Sequence, residues 1–193
     1  MSNPVPNFND IMLVTRDINP SAAIHDTEAW MIYQCCTQVP KDGLVVEVGC
    51  QMGRSSSIII QMAQAIGFHN VHIDPYTEQP TWLNEWTQMA YRVGGAWEHA
   101  FTLLCMRTEQ ADWHLSKFGE IDVAFIDGDH ESNSVEVDMK LVAERIKEGG
   151  VLLAHDYACE TWSGVKKAID AYITPAKWES LGLFHTVGAW RRK

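Results

Sequence analysis

From Leu44 onward, short apolar runs alternate along the chain with segments whose apolar residues recur at helical spacing. The runs Leu44–Val48, broken only by Glu47, and Ile121–Ile126 are typical of strands buried on both faces of a parallel sheet. Between them, residues 55–66 show helical periodicity, and Gly67 is placed to end that helix. The alternation predicts an α/β fold with a doubly wound, mostly parallel sheet and helices on both faces.

The remaining elements follow in the order that such a sheet requires. Asp26 or Thr27 is expected to cap a helix that runs to about Val39, where Pro40 ends it. Further strands are predicted over residues 71–73, 101–105 and 151–154, and further helices over 110–117, along an inner face of Val135, Met139, Val142 and Ile146, and from a Ser163 cap to Pro175. Few residues follow Pro175, so we expect one or two terminal strands and a sheet abbreviated at its C-terminal end.

The length of 193 residues suits a single domain. We expect a loose N-terminal arm over residues 1–23 and one domain over residues 24–193. Within that domain, residues 75–99 form a Trp-rich segment with Trp82 and Trp86 at helical spacing. Two interpretations stay open for it: an amphipathic helix packed on the sheet, or a lid or wall beside a substrate pocket.

Composition and charge exclude several classes of protein. The chain has 15 Lys and Arg against 25 Asp and Glu, a formal charge of −10, which argues against nucleic acid as its main partner. No apolar run approaches the ~20 residues of a membrane span, and residues 1–20 lack the pattern of a secretory signal. The five cysteines form no Cys-x-x-Cys pair, so we expect reduced thiols and a cytoplasmic protein that does not associate with membranes.

A glycine loop follows the first predicted strand, with the pattern Glu47-x-Gly49-x-x-x-Gly53-x-Ser55. Gly49 allows a tight turn, and Gly53 lets the backbone approach a ligand at a helix N-terminus. The middle glycine of a dinucleotide loop is absent. An acid at the strand end can hold an ammonium group, and the Ser55 hydroxyl suits a carboxylate. The loop therefore fits an amino-acid zwitterion, the alternative being a strand–helix corner without a ligand.

Asp74 ends the second predicted strand, after the glycine loop and its helix. A carboxylate at that place can accept hydrogen bonds from both hydroxyls of a ribose, in an adenosyl group or in NAD. Together with the glycine loop, Asp74 predicts a ligand that contains adenosine.

Acids and histidines follow two further strands, as Asp127-Gly128-Asp129-His130 and as His155-Asp156. Adjacent parallel strands lie about 4.8 Å apart, so Asp127 and Asp156 could both reach one cation between them. An oxygen-rich site with a histidine at its edge suits Mg²⁺ or Mn²⁺ better than Zn²⁺. The alternatives are solvent-exposed turn acids, or a carboxylate–histidine hydrogen bond without a metal.

Taken together, these segments resemble small class I S-adenosylmethionine-dependent methyltransferases with a Rossmann-like fold. The branch they resemble is related to the macrocin, aminocoumarin-sugar and catechol O-methyltransferases. The resemblance covers residues 42–174, and it rests on the glycine loop, Asp74, Asp127-Gly128-Asp129-His130, Gly149-Gly150, His155-Asp156-Tyr157 and Gly164-Val165-Lys166-Lys167-Ala168.

The resemblance implies an enzyme that methylates a hydroxyl of a small-molecule acceptor, with S-adenosylmethionine as cofactor. It assigns cofactor binding to Glu47, Gly49, Gly53, Ser55, Asp74 and Asp127. It implies that Asp127 and Asp156 hold Mg²⁺ or Mn²⁺, with His155 where relatives often carry a further acid. His130 takes the place of a basic residue near the nucleophile, so His130 or Asp129 is expected to accept the hydroxyl proton.

Two other functions stay open. A nicotinamide-dependent oxidoreductase is disfavoured by Glu47, by the missing middle glycine and by the lack of a Tyr-x-x-x-Lys pair. A non-catalytic protein that binds an adenosyl ligand is the second alternative. The acceptor could be aromatic or sugar-like if Trp82, Trp86 or Trp162 stacks on it, and an abbreviated sheet with an exposed edge would favour a homodimer.

Overall fold

Helices and strands alternate along the chain as the sequence predicts. The computed structural model describes residues 5–17, 24–77, 79–94 and 101–193. The elements are α1 Phe8–Asp17, α2 Asp26–Thr37, β1 Leu44–Val48, α3 Arg54–Ile66, β2 His69–Ile73, α4 Pro80–Gly94, β3 Thr102–Leu104, α5 Asp112–Leu115, β4 Ile121–Ile126, α6 Ser132–Val142, β5 Ile146–Ala154, α7 Ser163–Tyr172, β6 Trp178–Phe184 and β7 Val187–Arg192. Short 3₁₀ helices at Thr108–Gln110 and Glu160–Trp162 complete them.

The seven strands form one sheet in the order β3-β2-β1-β4-β5-β7-β6. β1 to β5 pair in parallel, and the C-terminal hairpin of β6 and β7 is antiparallel. The predicted doubly wound, mostly parallel sheet is confirmed. The expected abbreviation is wrong, because β7 pairs with β5 along Val151 to Ala154 and β6 pairs with β7. The argument for a homodimer through a truncated edge loses its basis, and the homodimer stays a prediction.

Three predicted helix ends differ in the structure. His25 caps α2 in place of Asp26 or Thr27, because its backbone N–H donates to the Glu28 carboxylate over 2.8 Å in a capping box. Ser163 is the first helical residue of α7, and Trp162 precedes it. The predicted long helix stops at Val142, since Ile146 already pairs with Ile121 in the sheet.

A helix stands where the sequence predicts a loose arm. In α1, Ile11 and Met12 are fully buried, and the helix packs against α3. The hydroxyls of Thr15 and Ser57 lie 2.9 Å apart across this contact and share a hydrogen bond. Residues 1–4 and 18–23 of the predicted arm lie outside the described residues. The division into an arm and one domain stays a prediction.

The Trp-rich segment forms α4, which packs on α3. Trp86, Met89 and Ala90 are buried, whereas Trp82 is half-buried. The indole N–H of Trp86 donates to the Ser56 hydroxyl over 2.9 Å. Trp86 thus lies on the buried side of an amphipathic helix, and the choice between packing and a lid stays a prediction. Residues 78 and 95–99 of the segment lie outside the described residues. Among the described helices, none is long and apolar enough to cross a membrane.

Asp138 is a buried acid on the inner side of α6. Burial raises the pKa of its carboxyl from 3.8 to about 7, although a hydrogen bond with the Thr108 side chain lowers it. The folded chain thus keeps a proton that the unfolded chain releases near pH 4. The stability of the folded state consequently falls as the pH rises from about 4 to about 7.

We expect Asp138→Asn to remove this pH dependence, because the amide stays neutral. Relative to the variant, the wild-type chain should lose about 2–4 kcal/mol of unfolding free energy between pH 5 and pH 8. Urea denaturation of both proteins across that range measures the difference. Glu144→Gln, at an exposed position just after α6, is the control and should show no such trend. A difference between wild type and Asp138→Asn that stays constant with pH would contradict the prediction.

Candidate functional site

Asp74 lies beside the glycine loop, as the sequence predicts. One oxygen of its carboxylate accepts the backbone N–H groups of Cys50 and Gln51 over 2.9 and 3.0 Å. The other oxygen accepts the N–H of Tyr76 over 2.8 Å. The oxygen that accepts from Tyr76 has a further lone pair, so Asp74 can hold the loop and still accept a hydroxyl.

Gly49 permits a close contact between the glycine loop and the loop after β4. Its φ is +83°, and a Cβ there would lie 2.1 Å from the carbonyl oxygen of Asp127. Gly53, with a φ of +92°, faces α4 instead, where a Cβ would lie 2.3 Å from the Met89 methyl group. The two glycines thus bring protein segments together. The expected approach of the Gly53 backbone to a ligand stays a prediction.

Glu47 lies beneath the glycine loop in a buried polar network. Its Oε2 accepts from the Ser56 hydroxyl over 2.5 Å and lies 2.6 Å from Nδ1 of His72. The side chain has no exposed surface, so in this structure it supports the loop from below. Its Oε1 has no hydrogen-bond partner among the described residues. Ser55, also buried, lies in the first turn of α3 at the end of the loop.

Four predicted residues come together where β4 and β5 end: Asp127, His130, His155 and Asp156. Nδ1 of His155 lies 2.9 Å from Oδ1 of Asp127 and 3.3 Å from Oδ2 of Asp156. Nε2 of His130 lies 2.9 Å from that same Asp156 oxygen. One donor atom from each residue falls within 4.8 Å of the others. Asp156 has a φ of +54°, an unusual conformation for a residue with a side chain.

Glu28 completes this cluster from behind, although the sequence analysis does not predict it. Its carboxylate is fully buried, and Oε2 lies 3.3 Å from Nε2 of His155. Oε1 accepts from the backbone N–H and the hydroxyl of Thr186 over 3.0 and 2.6 Å. One signal could have revealed it: Glu28 is an acid four residues before Ile32, on the apolar face of α2.

The packing of charges shifts the pKa values of the cluster. Burial lowers the pKa of His155, but the carboxylates of Asp127, Asp156 and Glu28 outweigh it and raise the value to about 12. Burial raises the pKa of Glu28, but hydrogen bonds from His155, Thr186 and His25 bring it down to about 2. The pKa of Asp156 falls well below its usual range because of His130 and His155, while burial raises that of Asp127. The cluster therefore demands positive charge between its carboxylates.

Asp129 and His130 occupy different surroundings. The Asp129 carboxylate accepts the Ser134 hydroxyl over 2.7 Å at the start of α6, so the structure does not bring it into the four-residue cluster. The ring of His130 stacks on Trp162, with centroids 4.5 Å apart and planes 26° apart. Trp162 itself is 41% exposed, so it borders the open side of the site.

The cluster has the donors that a divalent cation needs. Nδ1 of His155 is buried and has no hydrogen-bond partner of acceptable geometry among the described residues, although two carboxylate oxygens lie close to it. In metal sites, a histidine typically binds the ion through one ring nitrogen and donates a hydrogen bond to a carboxylate through the other. Nδ1 and Nε2 of His155 are placed for these two roles. The residues therefore fit a metal ion held by Asp127, His155 and Asp156.

A sequence profile of a family described as a methyltransferase domain matches residues 46–157, which is more than half of the chain. Both halves of the site described above fall within that match, from the glycine loop to Asp156. Glu28 and Trp162 lie outside it. No curated protein matches the sequence.

Solved structures of similar fold cover nearly the whole chain. A TDP-rhamnose 3′-O-methyltransferase of calicheamicin biosynthesis has a TM-score of 0.70 at 11% identity, covering 95% of this chain and 92% of its own. An O-methyltransferase from Bacillus cereus in complex with S-adenosylhomocysteine has 0.69 at 12%, covering 97% and 93%. A methyltransferase from Podospora anserina with S-adenosylhomocysteine bound has 0.67 at 17%, covering 100% and 90%. At such identities the similarity concerns the fold.

We expect Gly49→Ala to cost about 3–5 kcal/mol of unfolding free energy, through backbone strain and a clash with the Asp127 carbonyl. Gly119→Ala is a matched control, because Gly119 also has a positive φ of +91° but no atom of the described residues lies within 4 Å of its would-be Cβ. The control should cost only about 1–2 kcal/mol. Urea unfolding followed by tryptophan fluorescence measures both. Equal losses in the two variants would show that the close contact contributes nothing.

Proposed function

Because the chain belongs to the methyltransferase-domain family, we propose that it is an S-adenosylmethionine-dependent O-methyltransferase that acts on a small molecule. The observation that carries the proposal is the contact between the glycine loop and the loop after β4. This contact sets a candidate cofactor site directly beside the Asp127, His155 and Asp156 cluster. The O-methyltransferases of similar fold support the reaction type.

The cofactor site is assigned to the carboxyl ends of β1 and β2, where open α/β sheets bind ligands. Asp74 would accept a ribose hydroxyl at the oxygen that already accepts from Tyr76, where one lone pair is free. Ser55 and the N–H groups at the start of α3 would bind the carboxylate of the methionine part. The neighbours that hold S-adenosylhomocysteine support this cofactor. When bound, S-adenosylmethionine supplies an electrophilic methyl group on a sulfonium.

The acceptor side is assigned to the ends of β4 and β5. His130 would accept the hydroxyl proton at Nδ1, because its Nε2 contacts the Asp156 carboxylate and therefore carries the hydrogen. Trp162 holds the His130 ring by stacking and presents exposed aromatic surface to an acceptor. Asp129 is not assigned to proton transfer, because its carboxylate accepts the Ser134 hydroxyl in the first turn of α6. We propose an aromatic or sugar-like acceptor, because the exposed part of Trp162 could stack on either.

A divalent cation is part of the proposal. Asp127, His155 and Asp156 would hold it, and when bound it would lower the pKa of an acceptor hydroxyl. Methyl transfer by Asp127→Asn at the wild-type rate, with a chelator present, would disprove this part.

Two alternative functions can be separated from the proposed one. The family match does not favour a nicotinamide-dependent oxidoreductase. A non-catalytic protein that binds an adenosyl ligand predicts cofactor binding without turnover. The assay that separates it from an enzyme is transfer of a labelled methyl group to a panel of catechols, sugar nucleotides and simple alcohols.

Calorimetric titration with S-adenosylhomocysteine tests the cofactor site. Wild-type protein should bind with a Kd of about 1–10 μM or tighter, and Asp74→Asn should bind about 10–100-fold more weakly, since hydrogen bonds to a charged group contribute roughly 1.5–3 kcal/mol. Asp170→Asn, an exposed acid on α7, is the control and should bind as wild type does. Absence of binding by the wild-type protein would remove the cofactor assignment.

A further inference from the structure

We propose that Glu28 fixes the ring of His155 so that the cation site prefers a first-row transition ion, represented by Mn²⁺, to Mg²⁺. The inference rests on the cation part of the proposed function. It adds a positioning residue that lies outside the family match and a metal class that differs from an all-oxygen site.

The contact with Glu28 decides which ring nitrogen of His155 carries a hydrogen. Glu28 accepts hydrogen bonds from several donors, so its carboxylate is ionised and can act only as an acceptor. The nitrogen that faces it, Nε2 of His155, therefore carries a hydrogen. A cation that binds the ring must therefore displace the hydrogen on Nδ1, the nitrogen that points toward the oxygens of Asp127 and Asp156.

The ligand atoms of the cluster have the spacing that a bound ion requires. Two atoms that each lie about 2.1 Å from an ion, at a right angle to each other, are about 3.0 Å apart. Nδ1 of His155 lies 2.9 Å from the Asp127 oxygen and 3.3 Å from the Asp156 oxygen, which matches this spacing. Within the described part of the chain, the same nitrogen is buried and no hydrogen bond to it has acceptable geometry. Two oxygens and one nitrogen thus converge on one point.

The nitrogen in the ligand set affects which ion the site prefers. Mg²⁺ prefers oxygen ligands and keeps several waters, whereas imidazole nitrogen is a common ligand of first-row transition ions. A ligand set with one obligatory imidazole therefore favours a transition ion over Mg²⁺. The sequence analysis named Mg²⁺ and Mn²⁺ together, and the nitrogen ligand favours Mn²⁺ of the two.

Hydrogen bonds on both oxygens hold the Glu28 carboxylate in one orientation. Its two oxygens have separate partners from distant parts of the chain. Oε1 accepts from Thr186 and lies 3.0 Å from Nδ1 of His185, in the turn between β6 and β7. Oε2 accepts from the backbone of His25 over 2.8 Å and contacts His155. With donors on both oxygens the carboxylate cannot rotate, so the His155 ring is oriented before any ion arrives.

Glu28→Gln is the decisive variant. The amide oxygen should take the Oε1 position, where Thr186 and His185 converge. The amide NH₂ then faces Nε2 of His155, and the hydrogen bond from the backbone of His25 is lost as well. Nε2 must then accept, the ring hydrogen moves to Nδ1, and the metal ligand is lost. Thr186→Val is the matched control, because it removes one hydrogen bond from Glu28 but leaves two partners on Oε1 and the contact with His155 intact.

The experiment is an electron paramagnetic resonance titration of the purified full-length protein with Mn²⁺, followed by competition with Mg²⁺. Wild type should bind Mn²⁺ at least about 10-fold more tightly than Mg²⁺, and Glu28→Gln should weaken Mn²⁺ binding about 10–100-fold. Thr186→Val should lower the Tm but bind Mn²⁺ within about 2-fold of wild type. His155→Asp, which restores an oxygen ligand, should reduce the Mn²⁺ preference at least about 10-fold.

Each outcome decides between the ideas. A wild-type protein that binds neither ion, or both equally, overturns the proposed selectivity. Unchanged Mn²⁺ binding by Glu28→Gln overturns the role of Glu28. If that variant fails to fold, His155→Asp provides the test, because an unchanged ion preference there overturns the nitrogen ligand. S-adenosylhomocysteine binding, measured separately on the wild type, shows whether the cofactor assignment fails independently of the metal.

Discussion

The close approach of Gly49 to the backbone of Asp127 is the contact on which the rest of the site depends. β1 and β4 are neighbours in the sheet, but their loops can meet only because no Cβ stands between them. Asp74 then ties the same glycine loop to the end of β2 through the N–H groups of Cys50 and Gln51. Three strand ends are thereby locked into one surface, on which the glycine loop lies beside the acids after β4.

Buried charge supports this surface from two sides. Beneath the glycine loop, the Glu47 network joins β1 and β2 to α3 and α4 through Ser56 and Trp86. Behind the acids, Glu28 joins α2 and the C-terminal hairpin to His155. Buried polar groups are costly unless they are satisfied, so each network also limits which packing of its helices is stable. The rigidity of the site thus comes from groups that need touch no ligand.

Patterns that are local in sequence predicted much of this arrangement. Strand periodicity located β1 and β4 within their observed bounds, and parallel pairing brought Asp127 and Asp156 together because neighbouring strands end at one edge. Long-range contacts were not visible in the same way. Glu28 and His155 are 127 positions apart, and α1 is short and flanked by polar residues and prolines. Neither the burial of Glu47 nor the hydrogen bond between Asp129 and Ser134 follows from residue type, since both depend on which side chain a neighbouring helix offers.

The C-terminal hairpin has a part in the site that its position at the sheet edge does not suggest. Its turn at His185 and Thr186 provides three of the contacts to Glu28, and the carbonyl oxygen of Thr186 also accepts the N–H of Ala158, just after Asp156. His185 reaches this geometry with a φ of +58°. The turn therefore holds both the carboxylate behind His155 and the loop that carries Asp156. An antiparallel hairpin can do this because it returns toward the carboxyl ends of the parallel strands, so the last residues of the chain close the site that the middle of the chain builds.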